Sequence, residues 1–270
     1  MASSEPVHRF LAGRYNKYTR DLSQTPWIDK NDVRVKNSLQ ELIEDGIFKY
    51  IKCEKASFSS SGREDVDVRM LGTGRPFVFK LTNPSCTEAD DIVTVKIEEY
   101  VNSTYDGMIK VRFLQFVSKE EVAKNLTIDE ENNISKKYGA LCCCSRVLSP
   151  SDIEKVNNTK NLVLDQRTPI RVLHRRTLAS RPKTIYNMSI EFPKVANFTD
   201  VNSHHLTQYA ESGTYIKEFV HGDFGRTTPN LAILLGDCET DIMELDVLEV
   251  VMEWPRNPSI KSDSKSECRL

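Results

Sequence analysis

The chain has 270 residues, of which 39% are hydrophobic and 28% are charged, and its formal net charge is -2. This composition is that of a folded globular protein and excludes a collagen, a coiled coil and a disordered chain. No apolar run reaches the roughly 18 residues that cross a bilayer, and the polar start of the chain lacks the hydrophobic segment of a secretory signal. We therefore expect an intracellular protein without membrane contacts.

Capping, alternation and turn signals predict both helices and strands in the first half of the chain. In chain order they are a helix from Ser38 to Gly46, a charged loop from Ser59 to Arg75, a strand at 76–81, a helix at 87–100 and a strand at 108–117. The segment 87–100 is rich in Val and Ile, which leaves a strand open as the alternative.

The second half continues with a polar stretch, 118–137, which predicts an exposed insertion or a solvated helix and loop. After it come strands at 138–147 and 184–190, short helices at 149–156 and 231–235, a strand at 247–254 and a disordered tail at 256–270. Because strands and helices do not alternate regularly, the pattern predicts an α+β protein.

The cysteines and histidines do not form a metal-binding pattern. Seven cysteines are present, three of them consecutive at Cys142 to Cys144, and no pair has the C-x-x-C spacing of zinc ligands. The five histidines do not cluster with the cysteines. We therefore expect reduced thiols and no metal.

The charges are segregated along the chain. The stretch 166–190 contains six basic residues and no acid, and Pro6 to Arg20 contains four basic residues and two tyrosines but no acid. A solvated face is one interpretation, and a surface that follows RNA phosphates is the other. The small net charge means that local patches must carry any RNA binding.

The loop around Asp65 is the strongest candidate for a site. Between Gly62 and Arg75 it combines acids and arginines with glycines, just ahead of a predicted strand. Glycines let a substrate approach the backbone closely, and an arginine can hold a buried carboxylate in its ionised form. An ordinary solvated turn is the alternative interpretation.

The segment Gly62-Arg63-Glu64-Asp65 resembles the G-R-x-D signature of pseudouridine synthases. The longer match through Phe77 resembles the Pus-ten family of tRNA pseudouridine synthases. Further matching segments lie at 12–15, 24–27, 168–176 and 213–227. The resemblance implies one catalytic domain over 1–255, built on a mixed central sheet flanked by helices and loops, with an RNA-binding cleft.

The same resemblance implies a catalytic site without a cofactor. Asp65 is the expected catalytic aspartate, which either attacks covalently or removes a sugar proton. Lys217 is the expected cation that keeps Asp65 ionised, and Tyr186 is the expected aromatic residue that holds the flipped base. From the residues alone, a surface lysine and a core tyrosine remain the alternatives. Asp67 is expected to be structural or to contact RNA.

The remaining residues that the resemblance implies would bind the RNA substrate. They are Arg63, Ile216, Leu245, Arg14, Arg175, Arg176 and Arg226. An ordinary core leucine is the alternative interpretation of Leu245.

The implied activity is isomerisation of uridine to pseudouridine in the T-arm loop of tRNA, at nucleotide 54, 55 or both. The expected protein acts as a monomer in the nucleus or the cytoplasm. The competing hypothesis is an RNA chaperone or adaptor that binds tRNA through the same basic cleft without modifying it.

Overall fold

The computed structural model describes residues 5–27, 37–86, 88–126, 134–191, 203–236 and 238–257. The chain divides into two compact units. Unit 1 consists of Met1–Val66, Thr73–Asp129 and Met252–Leu270, and unit 2 consists of Asp67–Gly72 and Glu130–Val251. The boundary between positions 129 and 130 lies inside the polar stretch 118–137, and the prediction of one domain over 1–255 stays a prediction.

Unit 1 contains a sheet with the strand order β2-β3-β1-β4. Its elements are β1 (His8–Lys17), α1 (Leu39–Tyr50), β2 (Lys55–Ser60), β3 (Arg69–Thr82), α2 (Asp90–Thr104), β4 (Ile109–Val117) and α3 (Lys119–Leu126). The first residues of β3, up to Gly72, belong to unit 2. The pairs β1–β4 and β2–β3 are antiparallel.

Helix α1 begins where the sequence predicts and ends later. Ser38 caps it, and a reciprocal hydrogen bond from the Ser38 N–H to Glu41 completes the capping box. The prediction that Gly46 ends the helix is wrong, because α1 continues to Tyr50. A Cβ atom at Gly46 would lie 2.4 Å from Val101 Cγ2, so the glycine allows α1 and α2 to pack closely.

The helix predicted at 87–100 is confirmed as α2, and the strand alternative is wrong. Val93, Ile97 and Val101 are buried at a spacing of four residues, which places them on one helical face. Thr87, at the predicted start, lies outside the described residues. The strand predicted at 108–117 is confirmed as β4.

Unit 2 contains a sheet with the order β10-β5-β8-β7-β6-β9. Its elements are β5 (Ser135–Cys144), α4 (Pro150–Asn158), β6 (Lys160–Arg167), β7 (Ser180–Glu191), β8 (Ser203–Glu211), α5 (Ile216–His221), β9 (Thr227–Thr228), α6 (Leu231–Leu235) and β10 (Thr240–Val250). Strand β10 also pairs in parallel with the start of β3, whereas the other pairs are antiparallel. The sheet is therefore mixed and flanked by helices, which confirms the predicted α+β class.

Several predicted boundaries in unit 2 and the segment before it need correction. The strand predicted at 247–254 begins at Thr240 and ends at Val250. Helix α6 is capped by Asn230, whose side chain accepts from the Ile233 N–H. In the stretch 118–137, α3 has no buried residue and β5 begins at Ser135, while 127–133 lie outside the described residues.

Candidate active site

The predicted catalytic residue Asp65 lies on the irregular loop between β2 and β3, in unit 1. Asp65 is half-buried, and Arg63, two residues earlier, is exposed. Loops commonly carry functional side chains, provided that a rigid scaffold holds them in place. The contacts on either side of Asp65 supply such a scaffold.

Glu64 anchors the loop on the N-terminal side of Asp65. Its carboxylate accepts hydrogen bonds from Tyr15 Oη at 3.0 and 2.9 Å and from Arg75 Nε at 2.8 Å. The Arg75 and Glu64 side chains are 2% and 0% exposed. Arg75 Nη1 also donates to the Ser61 carbonyl at 2.7 Å, which ties the loop backbone to β3. Burial, and then the Glu64 charge, raise the pKa of Tyr15, so its hydroxyl stays a donor at neutral pH.

Lys17 anchors the loop backbone at Asp65 itself. Its buried ammonium group donates to the carbonyls of Asp65 at 3.0 Å, Val66 at 2.8 Å and Leu22 at 2.9 Å. Lys17 and Tyr15 are two residues apart on β1, so their side chains leave the strand on the same face. One strand thus provides contacts on both sides of Asp65.

Sequence reasoning missed this group of loop anchors: Tyr15, Lys17, Glu64 and Arg75. The sequence places Tyr15 and Lys17 in a basic stretch that predicts a solvated or RNA-binding surface, but both residues are fully buried. The spacing of two between Tyr15 and Lys17 is a signal that could have indicated a strand with both side chains on one face. Their partners lie about 50 residues further along the chain, and no local pattern indicates that pairing.

The predicted phosphate contact at Arg14 is wrong. The side chain is buried, with the residue 3% exposed. Its guanidinium donates to the carbonyls of Thr73, Gly74, Met252 and Trp254 at 2.8 to 3.1 Å, and to Thr73 Oγ1 at 3.3 Å. All five N–H groups are used in this way, so Arg14 is a cross-link inside unit 1.

Lys217 lies in the first turn of α5, in unit 2. Its ammonium group donates to both carboxylate oxygens of Asp67, at 2.9 and 2.7 Å. The Lys217 side chain is 18% exposed and that of Asp67 is 62% exposed. The predicted pairing of Lys217 with Asp65, which belongs to unit 1, remains a prediction.

Strand β10 and helix α5 place two further predicted residues in the core of unit 2. Leu245 is 7% exposed on β10, Ile216 is 3% exposed at the start of α5, and the two elements pack together. Next to Leu245, Asp246 accepts two hydrogen bonds from Arg69, at 2.8 and 2.6 Å. This burial is what the core interpretation of Leu245 expects, and substrate contacts of Ile216 and Leu245 remain predictions.

Tyr186 lies half-buried on β7 of unit 2. Its ring centroid is 5.4 Å from that of Tyr209, at an interplanar angle of 43°. Burial, and then the charge of Glu211, raise the pKa of Tyr186, so its hydroxyl is protonated at neutral pH. A partly exposed neutral ring is suited to stacking on a base.

The predicted phosphate contacts of unit 2 fall into two groups. Arg175 and Arg176 are exposed and follow the short 3-10 turn Ile170–Val172. Arg226 is mostly buried and donates to the Thr168 carbonyl through Nε at 3.2 Å and Nη2 at 2.6 Å. The exposed pair is available to a ligand, whereas Arg226 serves to connect two turns.

Within the described ranges, the histidine, cysteine and acidic side chains form no group of three or more that could hold a metal ion. Burial, and then the neighbouring Cys238, raise the pKa of Cys144 to about 12, so this thiol is protonated at neutral pH. None of the described helices is long and apolar enough to span a membrane.

The family model described as "Pus10, C-terminal" matches residues 10–251. The chain belongs to this family. Every predicted site residue, from Arg14 to Leu245, lies inside the range that matches the Pus10 C-terminal family.

Named relatives and solved structures resemble the chain to different degrees. The human tRNA pseudouridine synthase Pus10 is 44% identical over 248 residues, which cover 91% of this chain and 45% of that protein. The Thermofilum pendens protein of the same name is 38% identical over 250 residues, 91% of this chain and 53% of its own length. The chain thus spans about half the length of these curated relatives. A crystal structure of a Cbf5-Nop10-Gar1 complex aligns with a TM-score of 0.44 and 14% identity, over 88% of this chain and 48% of that chain.

Proposed function

We propose that this chain is a tRNA pseudouridine synthase, an isomerase that converts uridine to pseudouridine in the T-arm loop, at nucleotide 54, 55 or both. The observation that carries the proposal is Asp65, half-buried in an intact Gly62–Asp65 signature, in a member of the Pus10 C-terminal family. The names of the relatives, tRNA pseudouridine synthases, support the same reaction.

The reaction breaks the bond between N1 of the base and C1′ of the sugar, turns the base, and forms a bond between C5 and C1′. The proton on C5 is lost and N1 gains one, so the product is an isomer of the substrate. The reaction consumes no oxidant, reductant or cofactor. Asp65 acts in its ionised form, either as the nucleophile or as the base that removes a sugar proton.

The other predicted residues have supporting roles in this proposal. Tyr186 stacks on the flipped base, because an extruded nucleotide needs an aromatic or apolar surface to replace its neighbours in the stack. Lys217 contributes positive charge that favours the carboxylate form of an aspartate. Arg63, Arg175 and Arg176 contact the RNA; all three are exposed.

An unmodified tRNA transcript tests the proposal when its modification is mapped to single nucleotides. The proteins compared are the chain itself, Asp65→Ala and the control Asp106→Ala, which removes an exposed aspartate elsewhere in unit 1. We expect pseudouridine in the T-arm loop with the chain and the control, and a loss of at least about 1,000-fold in rate with Asp65→Ala.

Absence of product from the unaltered chain would contradict the proposal. A binding titration on the same transcript then separates the alternatives. Retained binding would support a chaperone or adaptor that holds tRNA without modifying it, and lost binding would mean that this chain does not capture tRNA by itself.

A further inference from the structure

The turn Gly222–Gly225 of unit 2 presents a phenylalanine to solvent. Phe224 is 95% exposed, more than any other large hydrophobic residue among those the structure describes. An isolated exposed apolar residue is common on protein surfaces and needs no explanation by itself. The backbone conformation of Asp223 and Phe224, in contrast, does need an explanation.

Two consecutive residues of this turn adopt left-handed backbone conformations. Asp223 has φ 47° and ψ 51°, and Phe224 has φ 55° and ψ 39°. Residues with a Cβ atom are disfavoured in this region, and such strain persists only where the surrounding contacts impose it. Strained residues of this kind concentrate at binding and catalytic sites.

The contacts that impose the strain all involve Asp223 and its neighbours. Asp223 is buried, its N–H donates to His221 Nδ1 at 3.0 Å, and its carboxylate accepts from the Ile170 N–H at 3.1 Å. Arg226 lies 3.6 Å from the same carboxylate and also donates to the Thr168 carbonyl. The turn is thereby fixed to the segment 168–172, and the ring of Phe224 projects from it.

The segment that holds the turn begins the acid-free, basic stretch 166–190. Arg175 and Arg176 are exposed there, and their backbone N–H groups donate to the Val172 carbonyl. Two acids near this surface are paired with arginines, Glu218 with Arg171 at 2.7 Å and Asp223 with Arg226 at 3.6 Å. The backbone that carries Phe224 is therefore fixed to the segment that leads into Arg175 and Arg176, two arginines for which the part of the chain that the structure describes provides no ion pair.

We propose that Phe224 is a stacking platform for an unpaired nucleobase of the RNA, with Arg175 and Arg176 contacting the adjacent phosphates. This combination of an aromatic face with neighbouring cations is the one that binds single-stranded RNA segments. The inference rests on the proposed function, because it takes tRNA as the ligand. It adds a binding residue that the catalytic chemistry does not require.

Binding of the unmodified tRNA transcript to the full chain tests this role at a fixed salt concentration. We expect Phe224→Ala to weaken binding by about 10-fold, within a range of about 5- to 100-fold, as for loss of one stacked base. Phe224→Trp keeps the aromatic face and should bind at least as tightly as the unaltered chain. Phe224→Leu keeps an apolar side chain without a π face and should resemble Phe224→Ala.

Two controls separate stacking from other effects. Phe48→Ala removes a 48% exposed phenylalanine from α1 and should leave affinity unchanged. Arg175→Ala and Arg176→Ala should each reduce the slope of log affinity against log salt by about one, while Phe224→Ala should leave that slope unaltered. Thermal unfolding of each variant shows whether the fold is retained.

Equal affinity of Phe224→Ala and the unaltered chain would overturn the inference and leave the proposed function standing; the exposed ring would then suit a protein partner. Binding that depends on Phe224 in a chain that makes no pseudouridine would uphold the inference and refute the proposed function. No measurable binding by the unaltered chain would overturn the inference.

Discussion

The Asp65 loop of unit 1 and the Phe224 turn of unit 2 are both irregular segments held by an arginine paired with an acid. In the loop, the Arg75 and Glu64 side chains are 2% and 0% exposed, and Tyr15 donates a further hydrogen bond to the acid. In the turn, the corresponding Arg226 and Asp223 side chains are 21% and 8% exposed and their closest N–O distance is 3.6 Å. The residue with a proposed chemical role thus has a deeply buried support, whereas the residue with a proposed contact role is held by a shallower pair and a strained backbone.

The largest expected difference between the two regions is in stability. Removing one member of a buried ion pair leaves the other charge away from water and costs about 3 to 5 kcal/mol. Glu64→Gln should therefore lower the free energy of unfolding by about that amount, measured by urea denaturation. Asp223→Asn, next to a more exposed arginine, should cost about 1 kcal/mol. If both variants lose the same free energy of unfolding, the Glu64–Arg75 pair does not stabilise unit 1 more than the Asp223–Arg226 pair stabilises unit 2.

The next effect concerns activity and depends on the proposed function. Tyr15→Phe keeps the ring packed near Phe77 but removes the hydroxyl that donates to Glu64. We expect kcat to fall about 10- to 100-fold with KM changed less than about 3-fold, because a small displacement of a catalytic group is costly. The matched control is Tyr105→Phe, which removes a hydroxyl that donates to the exposed Asp45 at 2.8 Å. A parallel loss in both variants would point to stability alone.

The same tyrosine gives unit 1 an expected sensitivity to alkali. Because the pKa of Tyr15 is raised in the folded state, its contribution is present below the unfolded value of about 10 and is lost as pH rises above it. Between pH 10 and 12, the free energy of unfolding should fall with pH more steeply in the unaltered chain than in Tyr15→Phe. The difference between the two slopes should correspond to about one proton. If thermal stability depends on pH in the same way in the unaltered chain and in Tyr15→Phe, the pKa of Tyr15 is not raised by folding.

The smallest effect is expected in the Phe224 turn. Phe224→Gly and Phe224→Ala both remove the exposed ring, but only glycine adopts the left-handed conformation without a penalty. After allowance for the greater freedom of glycine in the unfolded chain, Phe224→Gly should be more stable than Phe224→Ala by about 0.5 to 1 kcal/mol. Thermal unfolding measures the difference, and a more stable alanine variant would refute the account of strain.

Local signals predicted the helices better than the strands. The capping box at Ser38 predicted the start of α1, because Ser38 and Glu41 are close in sequence. The helix predicted at 149–156 is α4, Pro150–Asn158. Strand β1 was not predicted, since its last seven residues are all buried and include Arg14 and Lys17. A strand whose polar side chains point into the protein shows no alternation of polar and apolar residues.

The sequence predicts those residues of the candidate site that belong to a recognisable motif. Asp65 was predicted from the Gly62–Asp65 signature together with the longer match through Phe77. The role of Glu64 could not be predicted, because its carboxylate meets Tyr15 only when β1 and the loop are side by side, 49 residues apart in sequence. Lys217 pairs with Asp67, 150 residues away, and its predicted pairing with Asp65 stays a prediction. Pairings of this range depend on the tertiary fold.

The cross-link made by Arg14 also has a consequence for synthesis of the chain. Two of its carbonyl acceptors, Met252 and Trp254, are translated more than 230 residues after the arginine. Unit 1 therefore cannot satisfy this buried guanidinium while the ribosome is still making the strands of unit 2, whose main segment, Glu130–Val251, is continuous.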